Sequence, residues 1–173
     1  MTPLELALRR NKGKRLSPVF LAAIGSFERF TPENTSISFS SLDDTDDDSD
    51  FIRTVLASTA QSTVLLRRWT DPYRAERFFR SIAALHPPST CRIIVKDSAY
   101  FGSVLLDGNA GIYHAVDFAK LDRDTATFIL GDRKSCFYLD IVDDFDFVGI
   151  EAKFWGEIVR CVSALPIDRQ EIS

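Results

Sequence analysis

The sequence predicts an α+β fold: a single domain in which a largely antiparallel sheet is covered by N-terminal, middle and C-terminal helices. Three observations predict it. Apolar residues recur at a spacing of three and four in the first half of the chain. From Cys91 onward the period changes to two or to solid apolar runs. The chain has 173 residues and is 45% apolar, enough for one core and too short for two.

Element by element, a short basic arm over residues 1–16 carries Arg9, Arg10, Lys12, Lys14 and Arg15. Pro18 then opens a helix with Phe20, Ala23, Ile24, Phe27 and Phe30 on one face, stopped by Thr31-Pro32. In TSISFSS, Ile37 and Phe39 alternate with serines, the pattern of a half-buried strand. Residues 43–50 form an acidic loop of six aspartates, and DFIRTVLASTA follows as a short helix capped by Ser49 or Asp50. STVLLRRW, with its β-branched start, leans to a strand. Asp71-Pro72 supplies a cap and a first-turn proline for a helix with a stripe of Ala75, Phe78, Phe79, Ile82 and Leu85, closed by His86-Pro87-Pro88. CRIIVK is a buried strand. YFGSVLL and GIYHAVDF read as a hairpin across Asp107-Gly108-Asn109. TATFIL and CFYLDIV pair through Gly131-Asp132-Arg133-Lys134. FDFVGIEA is the last strand, and Phe154, Ile158, Val159, Val162 and Leu165 lie on one face of a closing helix.

Charged residues make up 27% of the chain and 14 of its residues are Phe, a globular composition with a phenylalanine-rich core. The net charge of −4 and pI near 5.2 oppose direct nucleic-acid binding, which needs a basic face, and favour a protein partner with a basic surface. Cys91, Cys136 and Cys161 lie in apolar runs without CxxC spacing, as buried reduced thiols of a cytoplasmic protein do. RRNKGKRLSPVFLAAIGSF imitates a signal peptide but runs into Glu28 and Arg29 without a small-residue cleavage site. No run reaches the ~20 apolar residues of a membrane span.

The acidic run invites a calcium reading, which fails on spacing. An EF-hand loop wants glycine at its sixth position and glutamate at its twelfth. Counting from Asp44 places Ser49 and Val55 there; counting from Asp46 places Phe51 and Ala57. Two His and three Cys offer no zinc spacing, the glycines form no phosphate loop, and neither His86 nor His114 has a nucleophile beside it in sequence. No metal or cofactor is expected. The row of Arg74, Arg77 and Arg80 reads as a wet helix face.

Carboxylates in excess remain on two elements. The first comprises Asp43, Asp44, Asp46, Asp47, Asp48 and Asp50. The second comprises Asp140, Asp143, Asp144, Asp146 and Glu151, which alternate with large apolar residues. Without a catalytic base, such patches suit steering and docking of a basic partner. If the two patches share one face, the docking reading gains.

Two resemblances bear on this. The E-x-K of VGIEAKF, with an aspartate on the preceding strand, resembles the PD-(D/E)xK metal-dependent nucleases. That resemblance implies Asp140 (or Asp143) and Glu151 as magnesium ligands and Lys153 as an aid to the attacking water. It covers about 15 residues and lacks the Pro-Asp element. The pattern of FYLDIVDDFDFVGIEAKFWGEIVRCV, an acidic hairpin entering an amphipathic helix, resembles the immunity proteins that bacteria make against contact-delivered or secreted toxins. It implies a non-enzymatic inhibitor that occludes the active site of a cognate toxin domain. An adaptor or regulatory interaction domain is the third reading.

Overall fold

In the computed structural model, residues 2–27, 36–67, 73–85, 89–131, 133–144 and 148–165 are described. Among them, helices α1 (Pro3–Ile24), α2 (Leu42–Leu56), α3 (Arg74–Leu85), α4 (Ser98–Phe101), α5 (Gly108–Tyr113), α6 (Ala115–Leu121) and α7 (Ile158–Ala164) surround one sheet. Its strands are β1 (Ser38–Phe39), β2 (Ser62–Arg67), β3 (Thr90–Ile94), β4 (Val104–Asp107), β5 (Thr125–Leu130), β6 (Ser135–Asp143) and β7 (Val148–Gly156). They run in the order β1-β4-β3-β5-β6-β7-β2, and every pairing is antiparallel. The α+β expectation holds.

The register explains the core. Val104 and Phe128 flank Ile93, and Phe128 continues through Phe137 to Phe154, a row of fully buried side chains across five strands. The row beside it runs Ala126, Leu139, Ala152 and Val64. Helices α3, α5, α6 and α7 cover this face: Phe79 of α3 stacks on Phe137 at 5.6 Å, and Phe128 lies parallel to Phe137 at 4.3 Å. Alternation then dictates the second face. Its rows are Leu105, Arg92, Ile129, Cys136, Trp155; then Ile94, Thr127, Tyr138, Lys153, Thr63; then Thr125, Asp140, Glu151, Leu65.

Four local expectations are corrected. The basic arm is the first half of α1: Thr2 accepts from the Glu5 amide and Glu5 accepts from the Thr2 amide, a capping box that starts the helix fifteen residues before Pro18. The acidic loop is helical, and its cap is Ser41, not Ser49 or Asp50. GIYHAVDF forms α5 and α6, because the Asp107 side chain accepts from the Asn109 amide and caps a helix instead of closing a hairpin turn. Gly111 lets α5 sit against β3, where a Cβ would come within 2.6 Å of Cys91 Sγ. Phe154 belongs to β7, which runs on to Gly156 at φ +84 before α7 begins.

The β5–β6 and β6–β7 pairings and the strands at Cys91 and Ser62 stand where the sequence put them. Cys91 and Cys136 are buried and Cys161 is half-buried. The helix signals at Thr31-Pro32, Asp71-Pro72 and His86-Pro88 lie outside the described residues. Among those described, no helix is long and apolar enough to cross a membrane.

Phe137 is the hub of the aromatic row, with Phe79, Phe128 and Phe154 within 5.6 Å of it. Phe137→Ala is expected to cost about 3–5 kcal/mol in urea unfolding. A loss under about 1 kcal/mol would place the hub elsewhere.

Candidate functional site

Six aspartates so close together repel one another at i,i+4 spacing, which disfavours a helix. Three structural features offset that repulsion. Asp43 and Asp44 occupy the first turn of α2, where the helix dipole favours negative charge, and Ser41 caps the turn by donating to Asp44 Oδ2 and accepting from the Asp44 amide. Asp46 receives a bidentate fork from Arg9 of α1, with Nη1 to Oδ2 at 2.8 Å and Nη2 to Oδ1 at 2.6 Å. Arg9 also donates from Nε to the Ala99 carbonyl, tying α1 to α4. This pairing holds the Asp46 carboxyl below its usual pKa and raises that of Arg9.

The third feature is Asp48, which is fully buried. Arg133 donates to its Oδ1 from Nε at 3.1 Å and Nη2 at 2.8 Å, and Arg92 donates from Nη1 at 3.4 Å. Ser103 Oγ reaches Oδ2 at 3.3 Å. One turn earlier, buried Thr45 accepts from the Ser103 amide at 2.8 Å. Thr45, Asp48 and Ile52 therefore form the inner stripe of α2, which lies over the second face of the sheet through Arg92. Asp50 pairs locally with Arg53 at 2.8 Å, both well exposed. Asp43 and Asp47 face solvent.

The later acids separate in the same way. Asp140 on β6 is directly opposite Glu151 on β7. Both belong to the second face, so the Asp140–Glu151 pair and α2 occupy the same side of the sheet. Burial pushes the Asp140 carboxyl above its ordinary range; Glu151 across the ladder adds to the shift, Lys153 opposes it, and Asp124 adds a further small push. Lys153 Nζ lies 3.0 Å from Glu151 Oε2, with about a third of each side chain exposed. Across from Lys153 is Tyr138, whose hydroxyl pKa is raised by burial and by Asp140 and Glu151, against a hydrogen bond with Thr125. Asp143 and Asp144 are exposed at the end of β6, and Asp146 lies outside the described residues.

Two half-open cavities flank this strip. Ser49, Ile94, Thr125 and Thr127 border one of about 460 Å³. Leu56, Thr63, Tyr138, Lys153 and Trp155 border another of about 440 Å³.

Of the candidate acids, Asp48 is fully buried and serves the fold instead of a partner, Asp46 is paired with Arg9 while about half of its side chain stays exposed, and Asp140 and Glu151 share a half-exposed face. Sequence reasoning missed Arg9, Arg92, Arg133 and Ser103. The one usable signal was the basic run at residues 9–15 ahead of an acidic run, since helices of opposite charge pack together. Among the described residues, no three His, Cys, Asp or Glu side chains cluster as metal ligands would.

Asp48→Ala would leave two arginines facing a buried, unpaired site, so it is expected to cost about 3–5 kcal/mol in urea unfolding. Asp47→Ala, on the exposed face of the same helix, is expected to change stability by no more than about 0.5 kcal/mol. Equal losses for the two would contradict this division of the run.

Compared with known proteins, the chain matches no family model, and no curated protein or solved structure is significantly similar to it.

Proposed function

We propose that this protein is a non-enzymatic acidic docking protein that receives a basic protein partner on the second face of its sheet, between β2, β6 and β7. The observation that carries the reading is the cross-strand Asp140–Glu151 pair: two carboxylates directly opposite on a half-exposed sheet face, with Asp140 pushed up by burial and by its neighbour. Like charges placed across an antiparallel ladder cost stability. Lys153 offsets part of that cost. An arginine or lysine from a partner would offset the rest, and exposed Asp143 and Asp144 at the strand end extend the negative field that steers it in. Toxin neutralisation by occlusion, implied by the resemblance to immunity proteins, is the specific form proposed. A basic nuclease domain is the partner chemistry that fits it.

One observation favours a second reading. The register sets Asp140, Glu151 and Lys153 together on adjacent strands, the arrangement the nuclease resemblance implies. Against it, Lys153 is engaged by Glu151 and the chain's acid balance disfavours a phosphate backbone.

The test begins with partners captured from the native host, followed by affinity and salt dependence for Asp140→Asn, Glu151→Gln and the double substitution. The double substitution is expected to weaken binding about tenfold or more, and co-expression of the wild-type chain is expected to relieve any toxicity of the partner. Binding untouched by these changes and by Asp43→Asn with Asp47→Asn would overturn the proposal. Magnesium-dependent cleavage of DNA or RNA that is lost in Lys153→Ala would establish the nuclease instead.

The pH dependence supplies a separate check. A raised acid pKa in the folded state means that the ionised group destabilises the fold at neutral pH and ceases to do so as pH falls through that value. Asp140→Asn is therefore expected to raise the melting temperature at pH 7, with the gain vanishing below about pH 4. A residue that weakens both binding and stability when neutralised would be structural, not a docking acid.

A further inference from the structure

Large apolar side chains left in solvent gather on α1. Of the eight such residues among those described, Leu4, Leu8, Val19 and Leu21 lie on this one helix, and the first and third are about 70% exposed. The helix has two apolar sides. Its inner side packs through Leu16, Phe20 and Ile24, and a Cβ at Gly13 would strike the Tyr100 carbonyl of α4, so the outer side cannot turn inward. That outer side carries Leu4, Leu8, Asn11, Arg15, Val19 and Ala22, all exposed, at the three- and four-residue spacing of a helix–helix seam. An apolar stripe of this kind in water marks an interaction surface.

The cations of α1 leave the stripe almost clear. Arg9 forks Asp46, Lys12 lies over the Tyr100 ring, and Arg10 and Lys14 border a cavity with Ser41 and Asp43 at the start of α2. Arg15 alone of the five stands in the stripe, exposed and with no ion-pair partner among the described residues. Its position decides the occupant. A lipid surface would have to take up Asn11 and Arg15 in the middle of the apolar stripe, at a high desolvation cost. A second copy of α1 running parallel would set Arg15 against Arg15.

We propose that the protein forms a two-fold homodimer by antiparallel packing of α1 on the α1 of a second copy. With the axis at the level of Gly13, Arg15 comes opposite the Asn11 of the other copy, Leu8 beside its Val19, and Leu4 beside its Ala22. The Asn11 side-chain carbonyl accepts from the guanidinium, and each leucine meets a smaller residue. The 22-residue helix gives a seam about 33 Å long and one helix wide, at the small end of dimer interfaces, so the dimer dissociates at about 10–100 µM.

Sedimentation equilibrium of the full chain from about 5 to about 500 µM tests this. The mass is expected to climb from 19.5 kDa toward twice that value. Leu8→Lys and Val19→Lys, both at exposed positions, are expected to raise the dissociation constant at least about tenfold, with the urea midpoint at about 1 µM protein unchanged. Asn11→Glu gives each Arg15 an ion-pair partner in the other copy and is expected to lower the constant about threefold or more. Disulfide trapping reads the orientation. A chain carrying Leu8→Cys is expected to cross-link to one carrying Val19→Cys and not to itself, because the two Leu8 positions lie about 15 Å apart along the antiparallel seam.

A monomer throughout this range would overturn the dimer. So would a dimer unmoved by both lysine substitutions, since its interface would lie elsewhere. Cross-linking of Leu8→Cys to itself, or unchanged affinity in Asn11→Glu, would overturn the antiparallel register. A monomer that binds vesicles of phosphatidylserine and phosphatidylcholine, and loses them in Leu8→Lys, would make the stripe a membrane contact and end the proposal.

Discussion

One buried carboxylate holds the second layer of this protein in place. Asp48 lies within α2, while its two guanidinium partners come from β3 (Arg92) and from the β5–β6 turn (Arg133). An uncompensated charge in such a site would be prohibitive, so α2 can dock only where both arginines reach it. Arg133 adopts φ +62, a left-handed conformation that costs a residue with a Cβ roughly 1–2 kcal/mol, and its side chain makes the two shortest contacts to Asp48. The turn carries that strain in the geometry that reaches the carboxylate. Because α2 is fixed there, its C-terminal end borders the same cavity as Trp155 and Tyr138.

Charge in this chain is therefore divided between two tasks. The basic residues of α1 and the acidic run of α2 meet each other: Arg9 forks Asp46, and Lys12 lies over the Tyr100 ring of α4 at 3.6 Å. Attraction that sequence reasoning reserved for an outside partner is spent inside the fold. On α2, Asp43 and Asp47 face outward, as do Asp44, Asp46 and Asp50 beside their hydrogen-bond partners, and on the sheet Asp140 and Glu151 are half-exposed. Among the sheet acids, Asp140 is the one whose carboxyl is pushed up by burial and by Glu151 across the ladder.

Much of the sheet was legible because its signals are local. Alternation in TATFIL and CFYLDIV survives any tertiary context, and the turn glycine between them marks the connection. The helices at Gly108 and Ala115 were not legible. Asp107-Gly108-Asn109 has hairpin chemistry, and the cap that Asp107 makes to the Asn109 amide, together with the packing of Gly111 on Cys91, decides against it. The acidic helix was illegible for a related reason. Its inner stripe of Thr45, Asp48 and Ile52 has helical spacing, but an aspartate among core positions reads as loop until the distant arginines are known. The Asp140–Glu151–Lys153 grouping was visible as a motif, whereas the placing of Lys153 across a cavity from Leu56 at the α2 terminus depended on the fold.

Asp48 and its arginines lock α2 onto the sheet. A double-mutant cycle of Asp48→Ala and Arg133→Ala, measured by urea unfolding, tests it most directly. A coupling of about 1.5–3 kcal/mol is expected, with Arg133→Ala nearly harmless once Asp48 is gone. Strictly additive losses would contradict it and return the acidic run to the solvent.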